Sequence, residues 1–524
     1  MNDLNKAKRI AELVSLKGGR AYFVGGYVRD KILGKTNKDI DIEVHGIEPS
    51  VLYDIISSVG EVLVYGSNFG IYSMKYSHLD VAMPRMEKSR GTGHKDFEVF
   101  VDPYIGTYEA CKRRDFTINS MLEDILTGEV IDYFGGKNDL VNKVIRHTNT
   151  EKFSEDPLRV LRACQFAPRF NFTIADETIK LCQSIDLTTL SKERVYQELI
   201  KSFEKSEKPS LFFKYLREMN QLDYWFKEVK DLIGVKQNPD YHAEGDVFDH
   251  TMLVLDNAKS KLDKVHYKNE FMLACLCHDM GKSVATKVDD NGKISSIGHE
   301  EVGVLVCKEF LKRITNEKKV IRYCVNMVEN HMKPNKYAAD NSKLSTTNKM
   351  FNASIDGNDL IILSECDALS SISKSPYVDK TPFLFNRLSE YDKIMAMPYV
   401  NGHELLDLGI TNRNRTSFNR IISYLKMQRL NGMTKKNQFT EAMGLAKQYG
   451  IFDADKYNDY LNRKRVELLN LDLIDSNISL DLVYSIISSK DNKILKVDDL
   501  YYVSLNNKEL VIDTKENKII KAKI

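Results

Sequence analysis

Two aspartates stand two residues apart near the start of the chain, at Asp39 and Asp41 in the segment DIDIEVHG. If this alternating segment is a strand, both carboxylates point to the same face. Mg²⁺ prefers carboxylate and phosphate oxygens, and two such ions can activate a hydroxyl group and stabilise a leaving group. Asp80, in the strand-like segment HLDVAMPR, is a candidate third acid. A solvated strand face explains a lone acid pair as well, so the hypothesis depends on what surrounds the pair.

A glycine turn precedes these acids, at Gly25 and Gly26 in the segment FVGGYVRD. The turn lies between a strand-like run and a helical run, so free N–H groups at the helix start would face an anion such as phosphate. Arg29 adds guanidinium donors beside them. The turn alone is better explained as the start of a surface helix. The turn, the acid pair and Asp80 in this order favour a metal-dependent phosphate site.

With GGYVRD followed by DID, the chain resembles the polymerase-beta-like nucleotidyltransferase superfamily. It more closely resembles the class II branch, which contains CCA-adding enzymes and bacterial poly(A) polymerases. The resemblance implies two Mg²⁺ ions held by Asp39 and Asp41, with Asp80 also catalytic. The segment RRDFTIN is similar to a further family motif. It implies that the incoming nucleotide is bound by Arg114, Asp115 and Asn119, although a basic helix start beside core residues is the simpler explanation of this segment alone.

The segment EDPLR at 155–159 opens a predicted helix, with Pro157 at its first position and Asp156 as its N-cap. Capping accounts fully for Asp156, yet Asp156 and Arg159 also share one helical face. Together they can read a base edge, because the acid accepts from the amino group of cytosine or adenine while the arginine donates to the ring nitrogen beside it. Guanine and uracil place a carbonyl oxygen against the acid, and one unmade buried pairing costs about 1–3 kcal/mol.

The same segment matches the EDxxR motif of the class II branch. The resemblance assigns to Asp156 and Arg159 the selection of C and A without a nucleic-acid template. Arg162 matches a family arginine that contacts phosphate or base, whereas Gln165 stands where some relatives carry a further arginine. The segment SKERVYQE at 191–198 is similar to the next family helix, which braces the site.

A second set of potential metal ligands lies in the middle of the chain, at His250, His278, Asp279, His299, His331 and Asp367. Imidazole and carboxylate ligands suit Mn²⁺, Fe²⁺, Ni²⁺ or Zn²⁺. Any one of these histidines alone is more simply a buried, hydrogen-bonded residue. The order H…HD…D resembles the HD phosphohydrolase family, and the resemblance implies a transition-metal site that hydrolyses phosphate esters, including 2′,3′-cyclic phosphates on damaged RNA ends.

The elements that position these residues predict a multidomain α+β fold. An α/β head with a small mixed sheet is followed by helical domains and a small C-terminal β appendage. The predicted domains are a catalytic head at 1–148, a helical nucleotide-selecting and RNA-binding neck at 149–225, an HD domain at 226–395, a helical tRNA-binding part at 396–460 and an unassigned tail at 461–524.

Length and composition indicate the number of domains, the charge of the surface and the cellular compartment. The chain has 524 residues, more than the roughly 250–300 residues at which single cores stop growing. Its formal net charge is +2, so RNA binding depends on a local basic surface. Eight cysteines without paired CxxC motifs, no signal peptide and no membrane-spanning run predict a cytoplasmic protein without a disulfide framework or a membrane. No feature indicates an oligomeric state.

The leading hypothesis is a nucleotidyltransferase that adds C, C and A to tRNA from CTP and ATP. A poly(A) polymerase, or a partial enzyme adding only CC or only A, shares the same motifs and stays open. An HD phosphohydrolase with a degenerate front domain is disfavoured by the intact DID and RRDFTIN segments. A non-catalytic RNA-binding protein is disfavoured by the low net charge and the full set of carboxylates.

Overall fold

Helices make up most of the chain, with a mixed sheet near its start and an antiparallel sheet at its end. The computed structural model describes residues 2–65, 71–89, 97–374, 376–473 and 478–523. The chain divides into two units. Unit 1 comprises Met1–Met332 and Ile362–Val378, and unit 2 comprises Lys333–Ile361 and Asp379–Ile524. This arrangement is the multidomain α+β fold that the sequence predicts.

The head begins with a helix and contains the strands predicted around the acids and the glycine turn. Its elements are α1 (Asp3–Leu16), β1 (Arg20–Val24), α2 (Gly26–Ile32), β2 (Ile40–His45), α3 (Pro49–Val59), β3 (Val62–Tyr65), β4 (Ile71–Met74), β5 (Leu79–Ala82), β6 (Arg85–Ser89), β7 (Phe97–Val101), α4 (Thr107–Lys112), β8 (Leu122–Asp124), β9 (Val130–Ile131), α5 (Gly136–Asn142) and β10 (Val144–Ile145). A single 3₁₀ turn forms at Thr117–Asn119.

Seven of these strands form one sheet, in the order β3-β4-β5-β2-β1-β8-β9. Strand β2 runs antiparallel to β1 and parallel to β5. Successive side chains of β2 point to opposite faces of the sheet. Ile40 and Ile42 are buried on one face, so Asp41 is exposed on the other. Opposite Asp41 in the β2–β5 register lies Asp80.

The part of unit 1 from residue 150 to residue 330 is helical apart from short strand pairs. Its elements are α6 (Thr150–Ser154), α7 (Leu158–Phe170), β11 (Thr173–Ile174), α8 (Asp176–Gln183), α9 (Lys192–Lys205), α10 (Ser210–Glu218), α11 (Lys227–Lys230), α12 (Val247–Lys259), α13 (Lys268–Cys277), α14 (Lys282–Ala285), β12 (Lys287–Val288), β13 (Ile294–Ser295), α15 (His299–Ile314) and α16 (Lys318–Asn330).

Helix α7 begins one residue later than predicted, so Pro157 rather than Asp156 takes the N-cap position. The Asp156 carboxylate still accepts a hydrogen bond from the backbone N–H of Leu158, at 3.1 Å. The first turn is tight, with the N–H of Arg159 bonded to the Asp156 carbonyl. Such one-residue differences are usual at helix ends, and the capping contact itself is present.

The remaining elements are α17 (Met332–Ala339), α18 (Leu344–Ala353), α19 (Gly357–Ser370), α20 (Thr381–Ala396), α21 (Gly402–Asp407), α22 (Arg415–Leu430), α23 (Lys435–Gln448), α24 (Ala454–Leu469), α25 (Leu480–Ser488), β14 (Lys493–Val497), β15 (Leu500–Leu505), β16 (Lys508–Asp513) and β17 (Lys518–Lys523). The last four strands form the antiparallel sheet β14-β15-β16-β17. This is the predicted β appendage, and its Tyr501 and Ile512 belong to the same buried cluster as Leu405 and Phe439 of the helices.

All eight cysteines are free thiols and all are buried, as expected for a chain without a disulfide framework. Cys275 and Cys277 are core residues of α13. Among the described residues, no helix is both long and apolar enough to cross a membrane.

Candidate active site and metal centre

Three carboxylates lie at the start of two adjacent interior strands of the head sheet. Asp39 directly precedes β2, Asp41 lies on β2, and Asp80 lies opposite Asp41 on β5. Asp80 accepts a hydrogen bond from the Ser73 hydroxyl of β4, at 2.5 Å. The Nδ1 atom of His78 lies 3.4 Å from the Asp39 carboxylate. Residues predicted from separate segments are therefore brought to neighbouring strands.

The acid cluster is electrostatically suited to a cation. The pKa of Asp41 is raised, first because surrounding protein removes part of its water and then because the Asp80 carboxylate faces it. Asp39 adds a further negative charge, and Arg114 offsets only part of the repulsion. Asp41 nevertheless remains accessible from the open side of the sheet. A divalent cation bound by these oxygens would relieve the repulsion, which is the behaviour expected of a metal ligand set.

Glu43 is a site residue that sequence reasoning missed. It lies on β2 two residues after Asp41, is almost fully buried, and pairs with Arg114 at 3.2 Å and Arg113 at 3.5 Å. Burial alone would raise its pKa, but both arginines and a hydrogen bond from His45 lower it to about 2. The available signal was its spacing, because Asp39, Asp41 and Glu43 are each two residues apart and so share one face of the strand. Glu43 anchors the arginine pair beside the acid cluster.

The glycine turn approaches the same arginine. Gly25 has a φ of +62°, and a Cβ atom there would lie 3.2 Å from Nη1 of Arg114. Arg29, one turn into α2, is buried; its Nε donates to Asp30 at 2.8 Å and its Nη1 to Asn119 at 2.7 Å. Arg29 thus braces Asn119 in this structure, and its direct contact with a nucleotide stays a prediction, as do those of Gly25 and Gly26.

Asp115 is the centre of a buried network. Arg162 donates to its carboxylate through Nε at 2.8 Å and Nη2 at 2.6 Å, and Asn119 donates at 3.0 Å. Burial would raise the pKa of Asp115, but Arg162 and Asn119 lower it. Gln165 is buried one turn further along α7, and no described group hydrogen-bonds its side-chain nitrogen. The structure therefore brings together three predicted residues of the head and helix α7.

The predicted base-reading pair is held in place by groups on three segments. Nη2 of Arg194, on α9, lies 3.1 and 2.9 Å from the two carboxylate oxygens of Asp156. Arg159 donates to the carbonyl of Lys152 and to that of Arg113, both at 2.6 Å. A guanidinium carries five N–H donors, so Arg159 retains donors for a base. Arg194 lies in α9, the helix predicted to brace the site.

The residues predicted to form the second metal site also lie close together. Nε2 of His250 lies 3.0 Å from Asp367 and 3.8 Å from Asp279, while Nε2 of His278 lies 3.3 Å from Asp279. On the other side of Asp279, its Oδ1 lies 3.2 Å from Nε2 of His299 and 3.7 Å from Nε2 of His331. Ligand atoms of His250, His278 and Asp279, and those of Asp279, His299 and His331, each fall within 4.8 Å of one another.

Every histidine of this centre is oriented through its other ring nitrogen. Nδ1 of His250 contacts Glu244, and Nδ1 of His278 contacts the Cys275 carbonyl. Nδ1 of His299 contacts the Ser296 carbonyl, and Nδ1 of His331 contacts the Val328 carbonyl. Such partners fix the tautomer and leave Nε2 free to bind a metal ion. Within the described part of the chain, Nε2 of His278 is buried and lacks a hydrogen-bond partner. These residues therefore fit a metal ion.

Two further charged residues at this centre were missed. Glu244 accepts hydrogen bonds from His242, from His250 and from the N–H of Ile372. The Nζ atom of Lys282 lies 2.7 Å from Asp279. Lys282 follows Asp279 by three residues across a turn, in which the Lys282 N–H donates to the Asp279 carbonyl at 2.9 Å. No comparable spacing signal marks Glu244, which reaches the centre from the loop before α12.

Comparisons with known proteins cover most of this architecture. Residues 21–146 match the Poly A polymerase head domain, residues 171–233 a probable RNA and SrmB-binding site of polymerase A, and residues 247–372 the HD domain. The chain is 35% identical over 339 residues to a multifunctional CCA protein of Actinobacillus pleuropneumoniae, covering 63% of this chain and 79% of that one. It is 37% identical over 270 residues to that of Haemophilus ducreyi, covering 50% of this chain and 64% of the relative's length.

Solved structures share the fold. An apo CCA-adding enzyme superposes with a TM-score of 0.60 at 22% identity, covering 84% of this chain and 94% of that one. A Thermotoga maritima CCA-adding enzyme complexed with tRNA superposes with a TM-score of 0.57 at 21% identity, covering 84% and 94%. The matched head domain, followed by the matched HD domain, defines a nucleotidyltransferase joined to an HD domain. The chain belongs to the family of multifunctional CCA proteins, which are CCA-adding enzymes.

Proposed function

We propose that this protein adds C, C and A in turn to the 3′ end of tRNA, using CTP and ATP and releasing pyrophosphate. Asp39, Asp41 and Asp80 hold two Mg²⁺ ions, which supply activation of the RNA 3′-hydroxyl and stabilisation of the leaving phosphate when bound. Asp156 and Arg159 select the base by its amino group and adjacent ring nitrogen. The eight cysteines are free, buried thiols, which supports localisation in a reducing cytoplasm.

The observation that carries the proposal is that segment 113–115 bonds both to the acid-bearing strand β2 and to helix α7. Arg114 is tied to Glu43 on the acid-bearing strand, while Asp115 and the Arg113 carbonyl are tied to Arg162 and Arg159 on α7. One rigid segment thus links the acid cluster to the base-reading helix. That linkage supports transfer and base selection within a single pocket, with protein side chains in place of a template.

The test is an extension assay on tRNA that ends at the discriminator base, at C or at CC. Each substrate is incubated with Mg²⁺ and single nucleotides, or with CTP and ATP together. Addition of two C residues and then one A, lost in Asp41→Ala and kept in the exposed-acid control Asp54→Ala, is the expected result. A lengthening A tract would instead identify a poly(A) polymerase, and C-only or A-only addition a partial enzyme.

The assembled histidine–aspartate centre favours a second activity, hydrolysis of phosphate esters at RNA ends, including 2′,3′-cyclic phosphates. His250, His278, Asp279 and Asp367 would hold a transition metal, which supplies an activated water when bound. Phosphate release from a cyclic-phosphate RNA should be lost in Asp279→Ala and unaffected by Asp41→Ala. Release that survives Asp279→Ala would contradict this assignment.

A further inference from the structure

Two stacked phenylalanine rings on α7 are surrounded by positive charge. Phe166 and Phe170 stack with centroids 5.6 Å apart and an interplanar angle of 13°. Around the Phe170 ring lie the cationic groups of Arg29 at 4.5 Å, Arg169 at 5.0 Å and Lys35 at 5.4 Å. Cations over aromatic faces are favourable, but so many positive groups in one place repel one another unless anions lie nearby.

Part of this charge is already neutralised. Arg29 is paired with Asp30 at 2.8 Å. By contrast, the side chains of Lys35, Arg169 and the nearby Lys205 form no ion pair or hydrogen bond with any residue that the structure describes. Lys35 and Lys205 are also exposed, so both are available to a bound molecule.

Two of these cations, Arg169 and Lys205, lie close enough to influence each other, and Lys205 is also influenced by Asp39. The pKa of Arg169 is lowered by burial and then by the positive charge of Arg29. The pKa of Lys205 is lowered by burial and then by the positive charge of Arg169, while the negative charge of Asp39 partly restores it. The packing of the helices agrees with this: α7 and α9 lie against each other, and Arg194 near the start of α9 bonds Asp156 just before α7. The two helices end at Phe170 and Lys205, which places Lys205 toward the end of α7 that carries Arg169.

The loop that carries Lys35 is fixed beside the same acid. The Asn37 amide donates to Asp30 at 2.9 Å, and its carbonyl oxygen accepts from the Asp39 N–H at 3.0 Å. This amide also lies 3.8 Å from the position of a Cβ atom on Gly26. The loop between α2 and β2 thus connects the glycine turn, Lys35 and Asp39.

We propose that Lys35, Arg169 and Lys205 form a phosphate-binding patch for a substrate of the nucleotidyl transfer reaction. The inference rests on the proposed function and adds a subsite to it. Several cationic donors around one position suit a phosphate group. The guanidinium of Arg169 lies over the Phe166 ring at 5.5 Å and the Phe170 ring at 5.0 Å. The phosphate belongs either to the outer phosphates of CTP and ATP or to the phosphodiester chain at the tRNA 3′ end.

The test uses the full-length protein with Lys35→Ala, Lys205→Ala and their double variant. Both residues are exposed, so folding is preserved; Arg169→Gln and Arg169→Lys examine the half-buried member. Lys180→Ala, an exposed lysine on α8, is the matched control. KM for CTP is measured at saturating tRNA, and KM for tRNA at saturating CTP. We expect the double variant to raise one KM about tenfold with kcat nearly unchanged, and Lys180→Ala to change neither.

The two sources of phosphate give different results. A raised KM for CTP with weaker inhibition by pyrophosphate identifies the nucleotide. A raised KM for tRNA, with a slope of log Kd against log salt reduced by about 0.7 for each lost contact, identifies the RNA. Equilibrium binding of ATP and of tRNA, measured without turnover, tests the patch even if no extension occurs. Binding and KM values equal to those of the control overturn the patch, whereas a wild-type protein that extends no tRNA end overturns the proposed function.

Discussion

Replacing the buried Glu43 by glutamine tests how the arginine pair beside the acid cluster is held. Glu43 is 1% exposed, and its pKa is lowered from an ordinary 4.5 to about 2 because Arg114, His45 and Arg113 outweigh the effect of burial. That lowering corresponds to about 3 kcal/mol of folding free energy at neutral pH. Glu43→Gln should therefore lower the free energy of unfolding by about that amount at pH 7, because two arginines lose their buried counter-charge.

The pH dependence has a definite sign. A carboxylate with a lowered folded pKa contributes stability that is fully present above its unfolded pKa and is lost as pH falls through the folded value. The difference between wild type and Glu43→Gln should be largest above about pH 4.5 and should shrink toward about pH 2. The variant should also bind CTP more weakly, because Arg114 loses its anchor.

The assay is urea denaturation followed by circular dichroism, repeated at several pH values. Glu48→Gln, an exposed glutamate just before α3, is the matched control and should change little. Adding Arg114→Gln to Glu43→Gln should recover part of the loss, because it removes an unpaired buried charge. A loss below about 1 kcal/mol at pH 7, or a difference that does not shrink at low pH, would refute the reasoning.

Three other results are expected. Arg194→Ala should reduce the preference for CTP over UTP about tenfold in single-nucleotide extension, because Asp156 loses the group that orients it; unchanged discrimination would exclude that role. Glu244→Gln should lower the affinity for a divalent transition metal by about 10–100-fold in equilibrium dialysis, with Glu301→Gln as the control. Asp41→Asn should abolish extension yet leave the thermal midpoint at neutral pH equal or higher, since the raised pKa of Asp41 means that its charge opposes folding; a lower midpoint would contradict this.

The sequence was sufficient to predict the elements that carry the acids. Alternation in DIDIEVHG predicts β2, and the glycine turn predicts the start of α2; both are confirmed. Local pattern is enough here because burial of Ile40 and Ile42 fixes which face Asp41 takes. The four-stranded C-terminal sheet was only partly predicted, because β17, with the sequence KIIKAK, has no clear alternation of apolar and polar residues.

Contacts between residues that come together only through tertiary packing could not be predicted from the sequence. Arg194 is 38 residues from Asp156, and Glu244 is 128 residues from Ile372. Charged residues at such separations are ordinary surface residues in any one-dimensional pattern. Glu43 differs, because its spacing from Asp41 was visible, but nothing local shows that two arginines of a later helix end neutralise it. The roles of the predicted site residues stay predictions that the variants above test, and the predicted domain boundaries stay predictions.

The distribution of the eight buried cysteines has a practical consequence. All of them, from Cys111 to Cys366, lie in the residues of unit 1, and unit 2 contains none. A thiol-specific reagent added to the folded protein should therefore react only when part of unit 1 opens. The order in which Cys111 of the head and Cys307 of α15 become labelled would report their separate opening free energies. The chain thus carries its own reporters of local opening, in the head, in the helices that follow it and in the HD domain, without any added label site.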